Sequence, residues 1–282
     1  MSEMKILRSI EAIESQRSEW QSRNLRIALV PTMGYLHAGH LSLVKIAKAQ
    51  SDRVVVSIFV NPTQFGPNED LDRYPRDFDR DERLCAEAGV DAVFYPPATD
   101  MYAPNHSTWV QEDSLSQTLC GASRPGHFRG VTTVVLKLFN LSGCRTAVFG
   151  RKDAQQALII RRMVRDLNVP VEVVFAPLIR EPDGLALSSR NKFLSPAEHQ
   201  SALSISRGIF QAEERYRAGV REAEPLLAVV RESISAAGGK IDYVSLMEQE
   251  TLRPLAVADR PALLAVAAFF GQTRLIDNVF LE

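Results

Sequence analysis

Short apolar runs alternate with segments of helical period along the first two-thirds of this chain, and that alternation limits its fold more than any other feature. The runs are Arg26–Val30, Val54–Val60, Ala92–Tyr95, Thr146–Phe149 and Val171–Phe175. Helical patterns lie between several of them, over 41–50, 78–88, 132–141 and 153–167, and an amphipathic stretch from Ile10 to Trp20 precedes the first. Buried β-branched strands separated by helices belong in a parallel sheet covered on both faces. The expected class is α/β, a Rossmann-like sheet over residues 1–176.

The pattern changes after residue 176. Ser195-Pro-Ala-Glu198 is a capping box with proline at the first helical position, opening a helix to about Ala218. A second helix is expected from Glu222 to Ala237, ended by Gly238-Gly239, and three strands from Ile241–Met247, Ala262–Ala268 and Arg274–Leu281. Residues 177–282 are therefore expected to form a smaller C-terminal α+β domain, a lid hinged near 176–182.

Ligands of open α/β sheets bind beyond the carboxyl ends of the strands, and the unusual polar segments sit there. After Val30 comes Pro31-Thr-Met-Gly-Tyr-Leu-His-Ala-Gly-His40, then the amphipathic Leu41–Lys48. This reads as strand, glycine-bearing turn and helix, with two histidines at the helix start. Unpaired N–H groups and the helix dipole suit that end to phosphate. Two imidazoles there can stabilise the charge that develops as a phosphoanhydride breaks. The plain alternative is a cap with two surface histidines; Gly34, Gly39 and the preceding strand favour the first.

Phe59-Val-Asn-Pro-Thr-Gln-Phe65 turns at Pro62, where Asn61 and Gln64 are either turn residues or amides that orient hydroxyls and carboxylates. In Phe149-Gly-Arg-Lys-Asp-Ala-Gln-Gln156, Gly150 permits close approach and Lys152 neutralises phosphate. Asp153 caps a helix or meets a ribose, and either Gln155 or Gln156 should face a cleft. The polar segment Arg180–Asn191 turns at Pro182-Asp-Gly184 and offers Ser188, Ser189 and Arg190 as a polyphosphate clamp or a solvated loop. Arg124-Pro-Gly-His-Phe-Arg-Gly130 has the composition of a mobile loop closing over anions. Asp77, Asp79 and Asp81 form a solvated helix face, or lend one carboxylate to Mg²⁺ on a triphosphate. With no Cys or Ser nucleophile paired to a base, the set favours binding and charge stabilisation over covalent catalysis.

Balance of charge narrows the partners. Against 33 basic residues stand 34 acidic ones, a net charge of −1, without the basic excess of a nucleic-acid scaffold. Cys85, Cys120 and Cys144 are widely spaced and form no Cys-x-x-Cys pair, so buried free thiols are expected rather than disulfides or zinc. The N-terminal residues lack a secretory pattern, and no apolar run nears the roughly 20 residues of a membrane span. A cytoplasmic protein with no membrane partner is expected.

Taken together, Pro31-Thr-Met-Gly-x-Leu-His-x-Gly-His40, Phe59-Val-Asn-Pro-Thr-Gln-Phe65, Arg124-Pro-Gly-His-Phe-x-Gly-Val131, Gly150-x-Lys-Asp-x-Gln-Gln156 and Arg180-Glu-x-Asp-Gly-Leu-Ala-x-Ser-Ser-Arg-Asn191 resemble a known family. It is the pantothenate synthetase (pantoate–β-alanine ligase) family, of the HxGH nucleotidyl-transferase superfamily that includes class I aminoacyl-tRNA synthetases. His-x-Gly-His alone indicates only the superfamily; the five motifs, in family order, are specific. The resemblance implies a ligase of two half-reactions. ATP and pantoate give pantoyl adenylate and pyrophosphate with Mg²⁺, and β-alanine then releases pantothenate and AMP.

The same resemblance assigns ATP to Met33, Gly34, His37, Gly39, His40, Gly150, Arg151, Lys152, Asp153, Ile179, Leu187, Ser188, Ser189 and Arg190. Within that set His40, His37 and Lys152 would be catalytic. Pantoate falls to Gln64 and Gln156, beside which Asn61 offers another amide; β-alanine falls to Gln64 and Mg²⁺ to Asp81. A homodimer is implied as well. Arg151 stands where the family usually has Glu; it is neutral if it points outward, and favours ATP if it faces the cleft.

Other readings stay open on the residues alone. A nucleotidylyltransferase acting on a phosphorylated acceptor would share His-x-Gly-His but would not need two amides for a hydroxy acid. Near-neutral charge counts against a tRNA-binding module, and intact His37, His40, Lys152 and Arg190 count against an inactive interaction protein.

Overall fold

The structure, a computed structural model, describes residues 3–67 and 69–282. The chain separates into two compact units. The first holds the residues up to Asp113, Arg124–Arg151 and Gln156–Pro177; the second holds Ser114–Ser123, Lys152–Gln155 and Leu178–Glu282.

In chain order the elements of the first part are β1 (Lys5–Leu7), α1 (Ile10–Ser22), β2 (Ile27–Thr32), α2 (Ala38–Gln50), β3 (Arg53–Ile58), α3 (Phe78–Glu87) and β4 (Ala92–Phe94). Single turns α4 (Ala98–Met101) and α5 (Cys120–Ser123) precede α6 (His127–Ser142), β5 (Thr146–Gly150), α7 (Ala154–Asp166) and β6 (Glu172–Ala176). The six strands make one sheet in the order β1-β4-β3-β2-β5-β6 with every pairing parallel. From β2 the chain steps outward to β3 and β4, then returns to the other side of β2 for β5 and β6. The order thus reverses between β2 and β5, which pair through Leu29 and Ala147. Such a reversal leaves an opening beyond the carboxyl ends of the two strands.

Both faces of the sheet are covered, as the alternating sequence requires. Val148 packs in a core with Leu43, Val44 and Ala47 of α2 and Cys85 of α3. Phe149, on the opposite face, meets Phe139 of α6 with ring centroids 6.4 Å apart. The five strands expected from sequence are present; β1 was not expected, being three residues that begin with an exposed lysine.

The second unit carries α8 (Pro196–Arg217), α9 (Ala223–Ala236) and an antiparallel sheet of β7 (Lys240–Glu248), β8 (Ala262–Phe270) and β9 (Thr273–Leu281), in that order. Ile205, Ile209, Leu226 and Ile234 of the helices bury one face of this sheet against Leu246, Leu264, Val266 and Leu275. The Ser195–Glu198 capping box forms as expected. Gln155 ties Ser114–Ser123 into the unit: its Nε2 donates to the carbonyls of Leu115 and Thr118, and its Oε1 accepts from Cys120 N.

All three cysteines are free and buried. Burial pushes the thiols of Cys85 and Cys144 up to about 12. Among the described residues no helix is long and apolar enough to cross a membrane.

Candidate active site

The turn after β2 is built around a buried carboxylate. Gly34 and Tyr35 both take left-handed backbone, at φ 82° and 51°, which turns successive N–H groups inward as an anion nest. Asp81, 1% exposed on α3, fills it: Oδ2 accepts from Tyr35 N at 2.6 Å and Oδ1 from Leu36 N at 2.7 Å. Burial pushes the pKa of this carboxyl above its ordinary value, although the two N–H groups of Leu36 and Tyr35 pull it down. A Cβ at position 34 would lie 2.9 Å from both Asp81 Oδ2 and Ile58 Cγ2, so the turn needs glycine there.

From this turn the chain enters α2 through a cap made of two imidazoles. His37 is the N-cap residue, and its Nδ1 accepts from Gly39 N at 3.2 Å. His40 reaches back so that its Nδ1 accepts from His37 N at 3.3 Å. The two rings lie 4.0 Å apart, tilted 38°. A ring nitrogen that accepts carries no proton, so each neutral imidazole bears its hydrogen on Nε2. His-x-Gly-His therefore caps the helix, with both imidazoles at its first turn.

Beyond β3, a 3-10 turn (Pro62–Gln64) carries the expected amides. Gln64 is 8% exposed; its Nε2 points at Met33 Sδ, 3.0 Å away, and its Oε1 accepts from Asn61 Nδ2 at 3.2 Å. Asn61, expected as a pantoate contact, does not fit that role. Its Nδ2 also donates to Gly130 O, and its Oδ1 accepts from the N–H and the hydroxyl of Thr63. Four bonds exhaust a side-chain amide, and Asn61 is 1% exposed. It holds the turn that aims Gln64.

Helix α6 supports that turn from behind. The segment Arg124–Gly130, expected as a mobile loop, is instead packed: the helix begins at His127. His127 is buried with Nδ1 2.8 Å from Gln64 O, and Arg124 binds Glu69 through two nitrogens and also reaches Gln64 O. Burial pushes the Glu69 carboxyl up, the hydrogen bonds and charge of Arg124 pull it down, and the balance lies below its ordinary value. Gln156, at the start of α7, is half-buried and makes no side-chain hydrogen bond among the described residues, while its neighbour Gln155 is consumed structurally. Of the two glutamines, only Gln156 is open to a ligand.

Gly150 ends β5 and Arg151 opens the 3-10 turn that follows, both in the first unit. The remaining expected residues fall in the second. Lys152 Nζ lies 3.4 Å from Asp153 Oδ2, and the Lys152 carbonyl accepts from Asn278 Nδ2 at 2.9 Å. The segment 179–191 folds back on itself, Leu187 N donating to Ile179 O and Arg180 bridging Ala186. Ser188 caps a 3-10 turn (Ser189–Phe193), its Oγ accepting from Arg190 N. Leu187, Ser188, Ser189 and Arg190 are all partly exposed.

Asp81 does not fit a site for Mg²⁺, since it is sealed from solvent and its oxygens hold the nest. Glu181, Asp183 and His199 in the second unit bring donor atoms within 4.8 Å of one another. An imidazole is a poor partner for Mg²⁺, which prefers oxygen.

A reversal in strand order with a capped helix N-terminus beside it defines a class: α/β proteins that hold an anionic ligand at the switch point. A sequence profile described as pantoate-beta-alanine ligase matches residues 5–280. Pantothenate synthetases of Moorella thermoacetica and Thermotoga petrophila are 54% and 53% identical, over 99% of this chain and 99% and 100% of theirs. The crystal structure of pantothenate synthetase from Thermus thermophilus superposes with a TM-score of 0.93 at 44% identity, over 98% of this chain and 99% of that one. That of the Francisella tularensis pantoate-beta-alanine ligase, complexed with beta-gamma ATP and beta-alanine, gives 0.83 at 34%, over 98% and 97%. The chain belongs to the pantoate–β-alanine ligase family.

Proposed function

We propose that this chain condenses (R)-pantoate with β-alanine to pantothenate at the expense of ATP, through pantoyl adenylate. The reciprocal imidazole cap carries the reading: with each Nδ1 engaged by a backbone N–H, both Nε2–H groups are donors at the first turn of α2. A pantoate carboxylate oxygen attacks the α-phosphorus, and the bond to the bridging oxygen of pyrophosphate breaks. His37 and His40, with the positive end of α2, stabilise charge on the phosphorus oxygens and on the departing pyrophosphate. The neutral amine of β-alanine then attacks the acyl carbon, the bond to AMP breaks, and the amine proton passes to solvent.

On this reading Met33, Gly34, Gly39, Gly150 and Arg151 belong to ATP, as do Lys152 and Asp153 through phosphate and ribose. Ile179, Leu187 and Ser188–Arg190 serve adenine and phosphates. Gln64 and Gln156 orient pantoate, and Gln64 also meets β-alanine. Mg²⁺ travels on the phosphates of the nucleotide and is given no carboxylate here. A homodimer enters through the family resemblance alone.

ATP–pyrophosphate exchange, run with and without pantoate, tests the reading. Exchange that requires pantoate is expected; exchange that requires a phosphorylated acceptor instead overturns it in favour of a nucleotidylyltransferase. Gln64→Ala should raise KM for pantoate about tenfold, the loss of roughly one charge-assisted hydrogen bond, with KM for ATP unchanged. An ATP defect of equal size removes Gln64 from its role.

A further inference from the structure

β9 breaks its own pattern. Leu275, Val279 and Leu281 alternate onto the helix-covered face and join the core. Asp277 stands in the same row, paired in register with Val266 of that core, yet is charged and only 3% exposed. Asn278, on the opposite face, is 7% exposed. Two adjacent buried polar residues in a strand of this kind need partners, because an unpaired buried polar group is costly.

The partners are two different segments. Asp277 accepts a bidentate pair from Arg180, at 2.6 and 3.0 Å. Arg180 also donates to Gly184 O and lies over the Phe210 ring, 4.8 Å from its centroid. Through the Arg180–Ala186 bridge this fixes the fold-back that presents Leu187–Arg190. Asn191 closes the same segment by donating to Glu181 Oε1 and Ala186 O. Asn278 donates to the carbonyl of Lys152 at 2.9 Å, while its own N–H donates to Asp277 Oδ1 at 2.7 Å. One dipeptide of β9 therefore grips both the Lys152–Asp153 turn and the Arg180–Asn191 segment.

We propose that Asp277 and Asn278 are positioning residues for nucleotide binding, holding in mutual register the two segments of the second unit assigned to ATP. This rests on the assignment of Lys152 and Ser188–Arg190 to the nucleotide. Neither residue touches substrate in this proposal; each acts through the backbone or side chain it holds. A register set this way serves only the nucleotide, so its loss should separate ATP from pantoate kinetically.

The test is ATP–pyrophosphate exchange on the full chain with Asn278→Ala, Asp277→Asn and Lys152→Ala. Asn278→Ala should raise KM for ATP about five- to tenfold, the scale of one lost hydrogen bond, with KM for pantoate within twofold and the thermal midpoint nearly unmoved. Asp277→Asn, which leaves Arg180 short of its counter-charge, should raise KM for ATP further at some loss of stability. If Lys152→Ala raises KM for ATP and Asn278→Ala does not, the positioning role is refuted while the nucleotide assignment survives. If Asn278→Ala raises both KM values alike and lowers the thermal midpoint, its role is merely structural and the proposal falls. If Lys152→Ala leaves ATP binding intact, the underlying assignment fails, and the proposal with it.

Discussion

His40→Ala is expected to lower the rate of pantoyl-adenylate formation by ~10²–10³, the scale of losing one donor aimed at developing charge. Two effects combine. The Nε2–H at the first turn of α2 disappears, and the His37 N–H loses its acceptor, His40 Nδ1. Asparagine at position 40 separates them, because its oxygen can still accept from a helix N-terminus while its amide N–H groups stand short of the place the imidazole Nε2–H occupies. The rate should stay low in His40→Asn even where the helix cap is kept. ATP–pyrophosphate exchange at saturating pantoate gives the measurement; turnover at the wild-type rate in His40→Ala removes the role given to this imidazole.

Gly130→Ala should be nearly as damaging, and it runs against helix propensity. Alanine in a helix interior is ordinarily favoured over glycine by ~1 kcal/mol. Here a Cβ would lie 2.5 Å from Thr63 O and 2.8 Å from Gln64 N, backbone atoms with no rotamer to yield. Relief requires α6 and the Pro62–Gln64 turn to move apart by several tenths of an ångström. That stretches the Asn61–Gly130 hydrogen bond and displaces Gln64. Overpacking of this kind costs roughly 1–3 kcal/mol, and misplacement of a substrate-orienting group is expected to reduce kcat/KM for pantoate by about ten- to a hundredfold. Thermal unfolding and pantoate kinetics read the two parts separately. Full retention of both would mean that the helix and the turn are not in contact in solution.

Neither Gly130 nor Asp81 could be given its role from the sequence, and the reason is the same for both. Strands and helices declare themselves through periodicity, so β2, β3 and β5 and the motif beside each are legible in the sequence. The place of His37 and His40 at the start of α2 is legible because strand, glycine turn and helix are local in the chain. Asp81 lies on α3, 45 residues from the Leu36 N–H it holds, and in sequence it is one acid among several on a charged helix. Gly130 looked like loop glycine because Arg124-Pro-Gly-His-Phe-Arg-Gly130 has loop composition; packing against Thr63 explains a glycine inside a helix. Asn61 read as a ligand because an amide in a turn has free capacity until its four partners are known. Asp277 and Asn278 did leave a trace, an acid and an amide interrupting a strand of alternating apolar residues.

The nest filled by Asp81 has one more consequence. Since the protein supplies its own negative guest to those inward-facing amides, the bend leading into α2 takes its shape without waiting for a nucleotide. On the proposed function, an incoming phosphate would meet a finished threshold, and the entropy lost on association would fall on the visitor rather than on the loop that receives it.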